Sequence, residues 1–407
     1  MTYEVEAVRS HFPALATGVA HFDGPGGTQT PLAVGRAIAS TLTGPLSNRG
    51  TSSRSERNAD DAVSGFRQAM ADLLHADPRG IVYGRSATQL TYDFSRHVSR
   101  DWAPGDEVVV TRLDHDSNIR PWVQAAERVG AVVRWVDFDP TTGELSADAV
   151  AAVLSDRTRL VAVTAASNLI GTRPSISEIA RVVHTAGALL YVDGVHYTAH
   201  ASVDIDALGA DFFVCSPYKF LGPHCGVLAA APALLERIQP DKLLPSENVV
   251  PERFEFGTLP YELMAGTTAA VNFLAGLSGL DGTATYDTAT RRERLDASYM
   301  ALEEYEDELR GEIETGLAEL SGVTVHSRAD VRTPTLLVTF ESQDAAEASR
   351  YLAEQNILAP AGSFYALEAS RHLGLGDEGG LRIGLAPYNT RDEVGRLLSA
   401  LKSFTHG

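Results

Sequence analysis

The sequence predicts an α/β fold, in which a large domain with a mostly parallel central sheet precedes a smaller α+β domain. Between about residues 60 and 230, short apolar segments alternate with amphipathic ones, as strands and helices do when they follow each other in turn. Several apolar segments lack polar–apolar alternation, which is expected of strands that helices cover on both faces. The chain has 407 residues, a length that suits one large and one smaller domain.

The elements follow in chain order. The predicted strands of the large domain are Gly80–Tyr83, Glu107–Thr111, Val132–Val136, Arg159–Ala165, Leu189–Val192 and Phe212–Cys215. The predicted helices between them are Asp60–His75, Ala87–Ser99, Ile119–Val129 and Ser175–Ala186. We place this domain at residues 15–282 and the small domain at residues 283–407, with the N-terminal residues 1–14 attached to the latter.

In the small domain, a helix rich in Glu and Arg is predicted at Ala289–Leu320, and we interpret it as a solvated connector. The remaining predicted elements are strands at Val323–His326, Thr333–Phe340 and Leu381–Leu385 and helices at Asp344–Gln355 and from Arg391.

Composition excludes several classes of partner. The net charge of -19, from 53 acidic and 34 basic side chains, disfavours binding to nucleic acid or to an anionic membrane. The longest uncharged stretch, Met264–Leu280, fits a buried helix better than a membrane span. The two cysteines, Cys215 and Cys225, fit a reducing compartment, and the N-terminus does not resemble a signal peptide. We therefore expect a cytoplasmic protein.

Two polar residues follow apolar strands at the positions where α/β proteins bind ligands. Lys219 follows Phe212–Cys215 and precedes a Gly-Pro pair, so burial in a crevice can lower its pKa and make it a Schiff-base nucleophile. Asp193 ends another strand, where its carboxylate can pair with a protonated ring nitrogen. Each residue taken alone also fits a simpler interpretation, a surface lysine and a turn or helix cap.

Two further segments follow strands. His115 can stack on a cofactor ring and move protons; its neighbours Asp114 and Asp116 suggest a metal site, but three adjacent residues lack a sensible ligand spacing. The segment Gly84–Gln89 lies between a strand and a helix, where free N–H groups with the Ser86 and Thr88 hydroxyls suit a phosphate, although ordinary helix caps look the same. We predict no metal site.

The combination is more specific than its parts. His115, Asn168, Asp193 and Lys219 close four separate strands in that order, which is the arrangement of fold-type I enzymes that use pyridoxal 5′-phosphate (PLP). Other templates fail: the sequence has no Walker loop, no dinucleotide fingerprint and no Gly-x-Ser-x-Gly elbow.

Seven segments extend this pattern over nearly the whole chain. They are residues 21–28, 114–122, 166–172, 192–196, 216–223, 254–258 and 382–390. With them the chain resembles the class V aminotransferase and cysteine desulfurase-like family of fold-type I PLP-dependent enzymes.

The resemblance implies a role for each site residue. Lys219 forms the internal aldimine with PLP, Asp193 pairs with the pyridine nitrogen, His115 stacks on the ring, and His196 replaces the usual Gln near the phenolic oxygen. The resemblance further implies a phosphate site, a carboxylate site and residues that serve the second subunit of a homodimer. These are Ala87, Thr88 and Ser216 for the phosphate, Asn168 and Arg382 for the substrate carboxylate, and Thr258 and Arg49 for the partner subunit.

One departure from the family concerns sulfur chemistry. Tyr365 stands where desulfurases carry a nucleophilic Cys, and we expect it to bind the substrate through a hydrogen bond or to close the pocket. Cys225 is expected to be a packing residue rather than a substitute for that Cys. In addition, Tyr218 replaces the more usual His before Lys219. The resemblance thus predicts an enzyme that forms an external aldimine with an amino acid and then performs a lyase-type elimination or replacement. Aminotransfer, epimerisation or cyclisation, and PLP binding without turnover remain the alternatives.

Overall fold

The structure, a computed structural model, describes residues 3–280 and 288–406. Within these residues the strands are β1 Ala20–His21, β2 Ile81–Gly84, β3 Glu107–Thr111, β4 Val132–Val136, β5 Thr158–Thr164, β6 Leu189–Asp193, β7 Phe212–Cys215, β8 Gly226–Ala230, β9 Val323–Val325, β10 Thr335–Phe340, β11 Ile357–Leu358, β12 Ala361–Gly362 and β13 Gly380–Gly384. All the predicted strands are confirmed, with ends that differ by one or two residues.

The helices of the described residues are α1 Val5–Arg9, α2 Leu32–Thr43, α3 Arg54–Leu74, α4 Ala87–Val98, α5 Arg120–Val129, α6 Ala147–Ala151, α7 Ile176–Thr185, α8 Ile205–Leu208, α9 Pro232–Arg237, α10 Tyr261–Leu274, α11 Arg291–Ala318, α12 Ala345–Glu354, α13 Leu367–His372 and α14 Arg391–His406. Helix α3 starts six residues before its predicted start because Ser53 and Glu56 form a reciprocal capping box that satisfies its first N–H groups.

The central sheet has the strand order β2-β8-β7-β6-β5-β3-β4 among the described residues. Neighbouring strands are parallel except at β8, which is antiparallel to both β2 and β7. The largely parallel sheet is therefore confirmed. The carboxyl ends of β2, β3, β5, β6 and β7 all open on the same edge, and this geometry positions the site.

Both faces of the central sheet are buried along its inner strands, whereas the edge strand β4 is partly exposed. Along β3, Val109 packs with residues of α3 and α7, whereas Val108 and Val110 pack with residues of α4 and α5 on the other face. Successive side chains of a strand point to opposite faces, so a strand covered by helices on both sides needs apolar residues at every position. The absence of alternation in the sequence has this physical origin.

A second sheet, with the order β12-β13-β10-β9, is antiparallel, and α11, α12 and α14 pack with it around a separate apolar cluster. The N-terminal segment contacts these elements: the Tyr3 ring stacks on Tyr305, and Arg9 pairs with Glu393 at 3.0 Å. The expected boundary between residues 282 and 283 lies outside the described residues, so the division into two domains stays a prediction.

The interpretation of the Glu- and Arg-rich helix as a solvated connector is wrong. Helix α11 buries one face, because apolar side chains spaced three or four residues apart lie on the same side of a helix. The buried residues of this face include Leu295, Tyr299, Leu302, Leu309 and Ile313.

The uncharged stretch at residues 264–280 forms most of α10 and ends in a 3₁₀ turn at Leu277–Gly279, rather than continuing as one helix. None of the helices in the described residues is long and apolar enough to cross a membrane.

Candidate active site

A cavity of about 630 Å³ opens at the carboxyl edge of the central sheet. Most of the site residues expected from the sequence line it. They are Ala87, Thr88, His115, Asn168, Asp193, His196, Ser216, Lys219, Tyr365 and Arg382. They come together because the parallel strands end at one edge, and because β13 and the turn before α13 bring Tyr365 and Arg382 over that edge.

Lys219 follows β7 and extends into the cavity. Its Nζ donates a hydrogen bond to the Pro25 carbonyl oxygen and lies 4.9 Å from the centre of the Tyr218 ring. Burial, followed by the nearby Arg382 guanidinium, lowers the pKa of the Lys219 amine to about 7, although the Asp193 carboxylate opposes the shift. A substantial fraction of the amine is therefore neutral, and nucleophilic, near neutral pH.

Asp193 ends β6 inside the same cavity and is buried. Its Oδ1 accepts a hydrogen bond of 2.9 Å from the Val195 amide. Burial raises the pKa of Asp193 to about 6, while the Val195 amide and Lys219 act in the opposite direction. A cationic group on a ligand would stabilise the ionised carboxylate, so Asp193 suits a protonated ring nitrogen.

His115 is held as a neutral ring. The Ser117 amide donates to its Nδ1 at 3.1 Å, which leaves the ring proton on Nε2. Burial, then the cations Lys219 and Arg382, lowers the pKa of His115 to about 4. A flat neutral imidazole of fixed tautomer is well suited to stack on an aromatic cofactor ring.

The alternative that His115 binds a metal with its two acidic neighbours is not supported. Asp114 is buried and accepts hydrogen bonds from the Thr111 hydroxyl and the Asn118 amide, and Asp116 pairs with Arg120 at 3.0 Å. Across the described ranges, no three His, Cys, Asp or Glu side chains form a group that could hold a metal ion.

The start of α4 suits an anion. Ser86 caps this twelve-residue helix by accepting from the Gln89 amide at 3.1 Å, and Ala87 and Thr88, which begin the helix and whose N–H groups have no partner within it, line the cavity. Gly226 of β8 lies against this turn so closely that a Cβ atom would stand 2.3 Å from the Ser86 carbonyl carbon. Together with Ser216, these groups suit a phosphate.

His196 lines the cavity and is buried. Its Nε2 lies 2.9 Å from the Thr333 hydroxyl and 3.0 Å from the Thr335 hydroxyl. Burial, followed by the electrostatic effects of the neighbouring His200, Lys219 and Arg382, holds the pKa of His196 well below the ordinary value, so the ring is neutral. Its Nδ1 is buried and has no hydrogen-bond partner among the described residues.

Arg382 is a buried guanidinium without a carboxylate partner in the described structure. Its Nη1 donates to the Asn168 carbonyl oxygen at 2.9 Å, its Nε has no partner, and burial lowers its pKa to about 9. The Asn168 side-chain oxygen is also buried and unpartnered. A buried charge is costly unless it is paired, so this arrangement suits an anionic group on a substrate.

Two expected site residues do not line the cavity of their own chain. Thr258 is exposed on the surface after Gly257. Arg49 pairs with Asp60 at 2.8 Å and with Glu252 at 3.1 Å. Their expected roles in a partner subunit remain predictions.

Sequence reasoning missed several contacts that form only through space. Pro25 supplies the oxygen that Lys219 contacts, Thr333 and Thr335 hold His196, and the Phe364 ring lies 3.6 Å from the Arg382 guanidinium. Two of these residues carried a usable signal, because Phe364 directly precedes Tyr365 and Pro25 lies in the segment 21–28 that supports the resemblance.

Comparison with known proteins defines the class. The family model described as Aminotransferase class-V matches residues 20–397. An uncharacterised protein of Mycobacterium tuberculosis is 31% identical, over 99% of this chain and 100% of that protein. A cysteine desulfurase of Yersinia pestis is 28% identical, over 99% and 98%. The crystal structure of the Escherichia coli cysteine desulfurase CsdA has a TM-score of 0.84 and 24% identity, over 99% and 98%.

The chain therefore belongs to the class V aminotransferase family and has its fold-type I architecture. It is a PLP-dependent enzyme. The cavity fits the cofactor: Lys219 offers a reactive amine, Asp193 a partner for the ring nitrogen, and the start of α4 a phosphate site. His196, whose buried Nδ1 has no hydrogen-bond partner among the described residues, lines the same cavity.

We predict that the rate at which the cofactor-free protein captures PLP depends on the lowered pKa of Lys219. Only the neutral amine attacks, so the rate should rise from about pH 6, reach half its maximum near pH 7 and level off by about pH 9. Stopped-flow absorbance measures this rate. Arg382→Gln should move the profile to higher pH because it removes a neighbouring cation, whereas Arg120→Gln should not. A rate that keeps rising beyond pH 9 contradicts the prediction.

Proposed function

We propose that this enzyme acts on a free amino acid and catalyses elimination or replacement at its side chain. The observation that carries the proposal is the convergence in one cavity of Lys219, Asp193 and the unpaired Arg382 guanidinium. These supply a proton carrier, a partner for a cationic ring and a site for a carboxylate, which an amino-acid substrate requires.

Each residue of the cavity has a separate role in the proposed reaction. When bound, PLP supplies an electron sink for the electrons of a bond that breaks at the substrate Cα. Asp193 would hold the proton on the ring nitrogen, and the neutral His115 would stack on the ring. Arg382 would bind the carboxylate, since a guanidinium can donate two parallel hydrogen bonds to one carboxylate. Lys219, with a pKa near 7, accepts and returns the proton at Cα.

A lyase that releases its product directly is favoured over a desulfurase with a protein-bound persulfide. The sequence has two cysteines, both are buried, and neither lines the cavity. Burial raises the pKa of Cys225 to about 12 and that of Cys215 well above its usual range. Thiols so rarely ionised cannot readily attack a substrate sulfur. Two free thiols are also consistent with the cytoplasmic location, which remains part of this proposal.

We further propose a homodimer in which Thr258 and Arg49 serve the neighbouring cavity. The segment before Thr258 exposes large apolar side chains, among them Leu244 at 97%. Exposed apolar patches of this kind mark interaction surfaces. Glu252 accepts from both Arg49 and Arg67, so the segment that leads to Thr258 and the loop that carries Arg49 are held by one ionic network.

Reduction and product analysis test the central proposal. Borohydride should fix PLP onto Lys219 in the purified holoenzyme, and mass spectrometry should find the label there and not in Lys219→Ala. In a separate experiment, incubation of the unreduced holoenzyme with each common amino acid should yield a side-chain-cleaved product for at least one of them. A keto acid with the side chain intact would instead indicate aminotransfer. An inverted or cyclised amino acid would indicate epimerisation or cyclisation, and bound cofactor without any product would indicate a binding protein.

We predict that no persulfide accumulates on the protein during turnover with L-cysteine. Alkylation followed by mass spectrometry should find Cys215 and Cys225 unmodified at all times, because both thiols are buried outside the cavity. The variant Cys225→Ser should retain the rate of the wild type with its preferred substrate. A stoichiometric persulfide on either residue would restore the desulfurase interpretation.

Mixed dimers test the shared site. Lys219→Ala and Thr258→Ala should each be nearly inactive, and subunit exchange between them should restore about a quarter of wild-type activity, since half of the dimers are mixed and each has one complete site. As a control, Lys219→Ala mixed with the Lys219→Ala/Thr258→Ala chain should stay inactive. Full activity of Thr258→Ala alone would refute the proposed contribution.

A further inference from the structure

The turn that carries Phe364 and Tyr365 covers one side of the cavity and has an unusual backbone. Both residues have positive φ angles, 52° and 59°, in the left-handed region that aromatic residues rarely adopt. Such a conformation is costly and persists only where surrounding contacts impose it, which makes it a candidate functional feature. The contacts of the two residues indicate what that feature is.

The carbonyl groups of the turn accept hydrogen bonds from two residues that line the cavity, Asn168 and Asp116. The Asn168 side-chain Nδ2 donates to the Phe364 carbonyl oxygen at 3.0 Å, and the Asp116 amide donates to the Tyr365 carbonyl oxygen at 2.7 Å. A carbonyl can face only the NH₂ end of an amide side chain. The backbone of Phe364 therefore fixes which way Asn168 points within the cavity.

The ring of Phe364 fixes the second carboxylate-binding residue. It lies 3.6 Å from the guanidinium carbon of Arg382, a close cation–π contact at a buried charge. The Arg382 Nη1 is also engaged by the Asn168 carbonyl oxygen. One face and one nitrogen of the guanidinium are thus occupied, and the buried Nε has no hydrogen-bond partner among the described residues.

The Tyr365 side chain lies at the mouth of the cavity and is 76% exposed. Its ring lies 5.5 Å from that of His115, and the neighbouring wall is formed by Asp116, Ser117 and Arg120. This part of the cavity therefore presents a phenol, a carboxylate, a hydroxyl and a guanidinium. A side chain that enters it loses water unless it forms hydrogen bonds with these groups.

We propose that the Phe364–Tyr365 turn determines how both the carboxylate and the side chain of the substrate bind. Phe364 is a positioning residue that orients Asn168 and Arg382 for the carboxylate. Tyr365 is a specificity-determining residue that selects amino acids with a polar side chain over apolar ones of the same size. The inference rests on the proposed function, because it assumes that the ligand of Arg382 is the carboxylate of an amino acid.

The test measures dissociation constants of the holoenzyme from the change in cofactor absorbance. The ligands are two pairs of similar size, L-threonine with L-valine and L-asparagine with L-leucine, and propionate as a competitor that reports the carboxylate site alone. Wild-type protein should bind the polar member of each pair more tightly. Phe364→Leu should weaken binding of all ligands, propionate included, by about 3- to 10-fold without changing the polar preference. Phe364→Tyr, which keeps the ring, should bind as the wild type does.

Tyr365→Phe should lower the polar preference by about threefold or more and leave the affinity for propionate unchanged. Phe340→Leu and Tyr351→Phe make the same substitutions at half-buried residues outside the cavity and should change neither quantity. A wild-type preference for the apolar members, or an unchanged preference in Tyr365→Phe, would overturn the specificity role. Unchanged propionate binding in Phe364→Leu would overturn the positioning role. Absence of any spectral response to amino acids in the wild type would instead refute the proposed function.

Discussion

The parallel alignment of β3, β5, β6 and β7 is the constraint on which the site depends. Strands that run in the same direction end at the same edge, so residues far apart in the chain, such as His115, Asn168, Asp193 and Lys219, lie around one cavity. The antiparallel strand β8 between β7 and β2 brings the start of α4 to the same edge. The chemistry of the site follows from this topology more than from any local motif.

Burial then determines the charge states within the cavity. Lys219 and Arg382 are cations held in a poorly solvated space, and the same desolvation lowers the pKa of His115 and raises that of Asp193. The neutral histidine and the partly neutral lysine are suited to stacking and to nucleophilic attack. An anionic cofactor and an anionic substrate would pair with the cations, so the site is organised for ligands that carry negative charge.

The departures from the family pattern lie in two parts of the cavity. Tyr218 and His196 lie beside the residues expected to hold the cofactor, whereas Tyr365 lies with polar residues at the mouth. The turn that carries Tyr365 is held by Asn168 and by the cation–π contact of Phe364 with Arg382.

The sequence by itself determined the α/β class, the positions of the main strands and the polar residues that end them, because burial of strands and helices leaves a periodic signal in the chain. It did not reveal β8, whose short segment Gly-Val-Leu-Ala-Ala reverses the sheet direction, or the buried face of α11, whose charged face masked its apolar residues. Only the tertiary structure decided that Phe364 stacks on Arg382 and that Thr333 and Thr335 hold His196. It also decided that Asp114 and Asp116 pair with other residues rather than with His115. These outcomes depend on contacts between segments distant in the chain, and such contacts are set by packing rather than by local sequence.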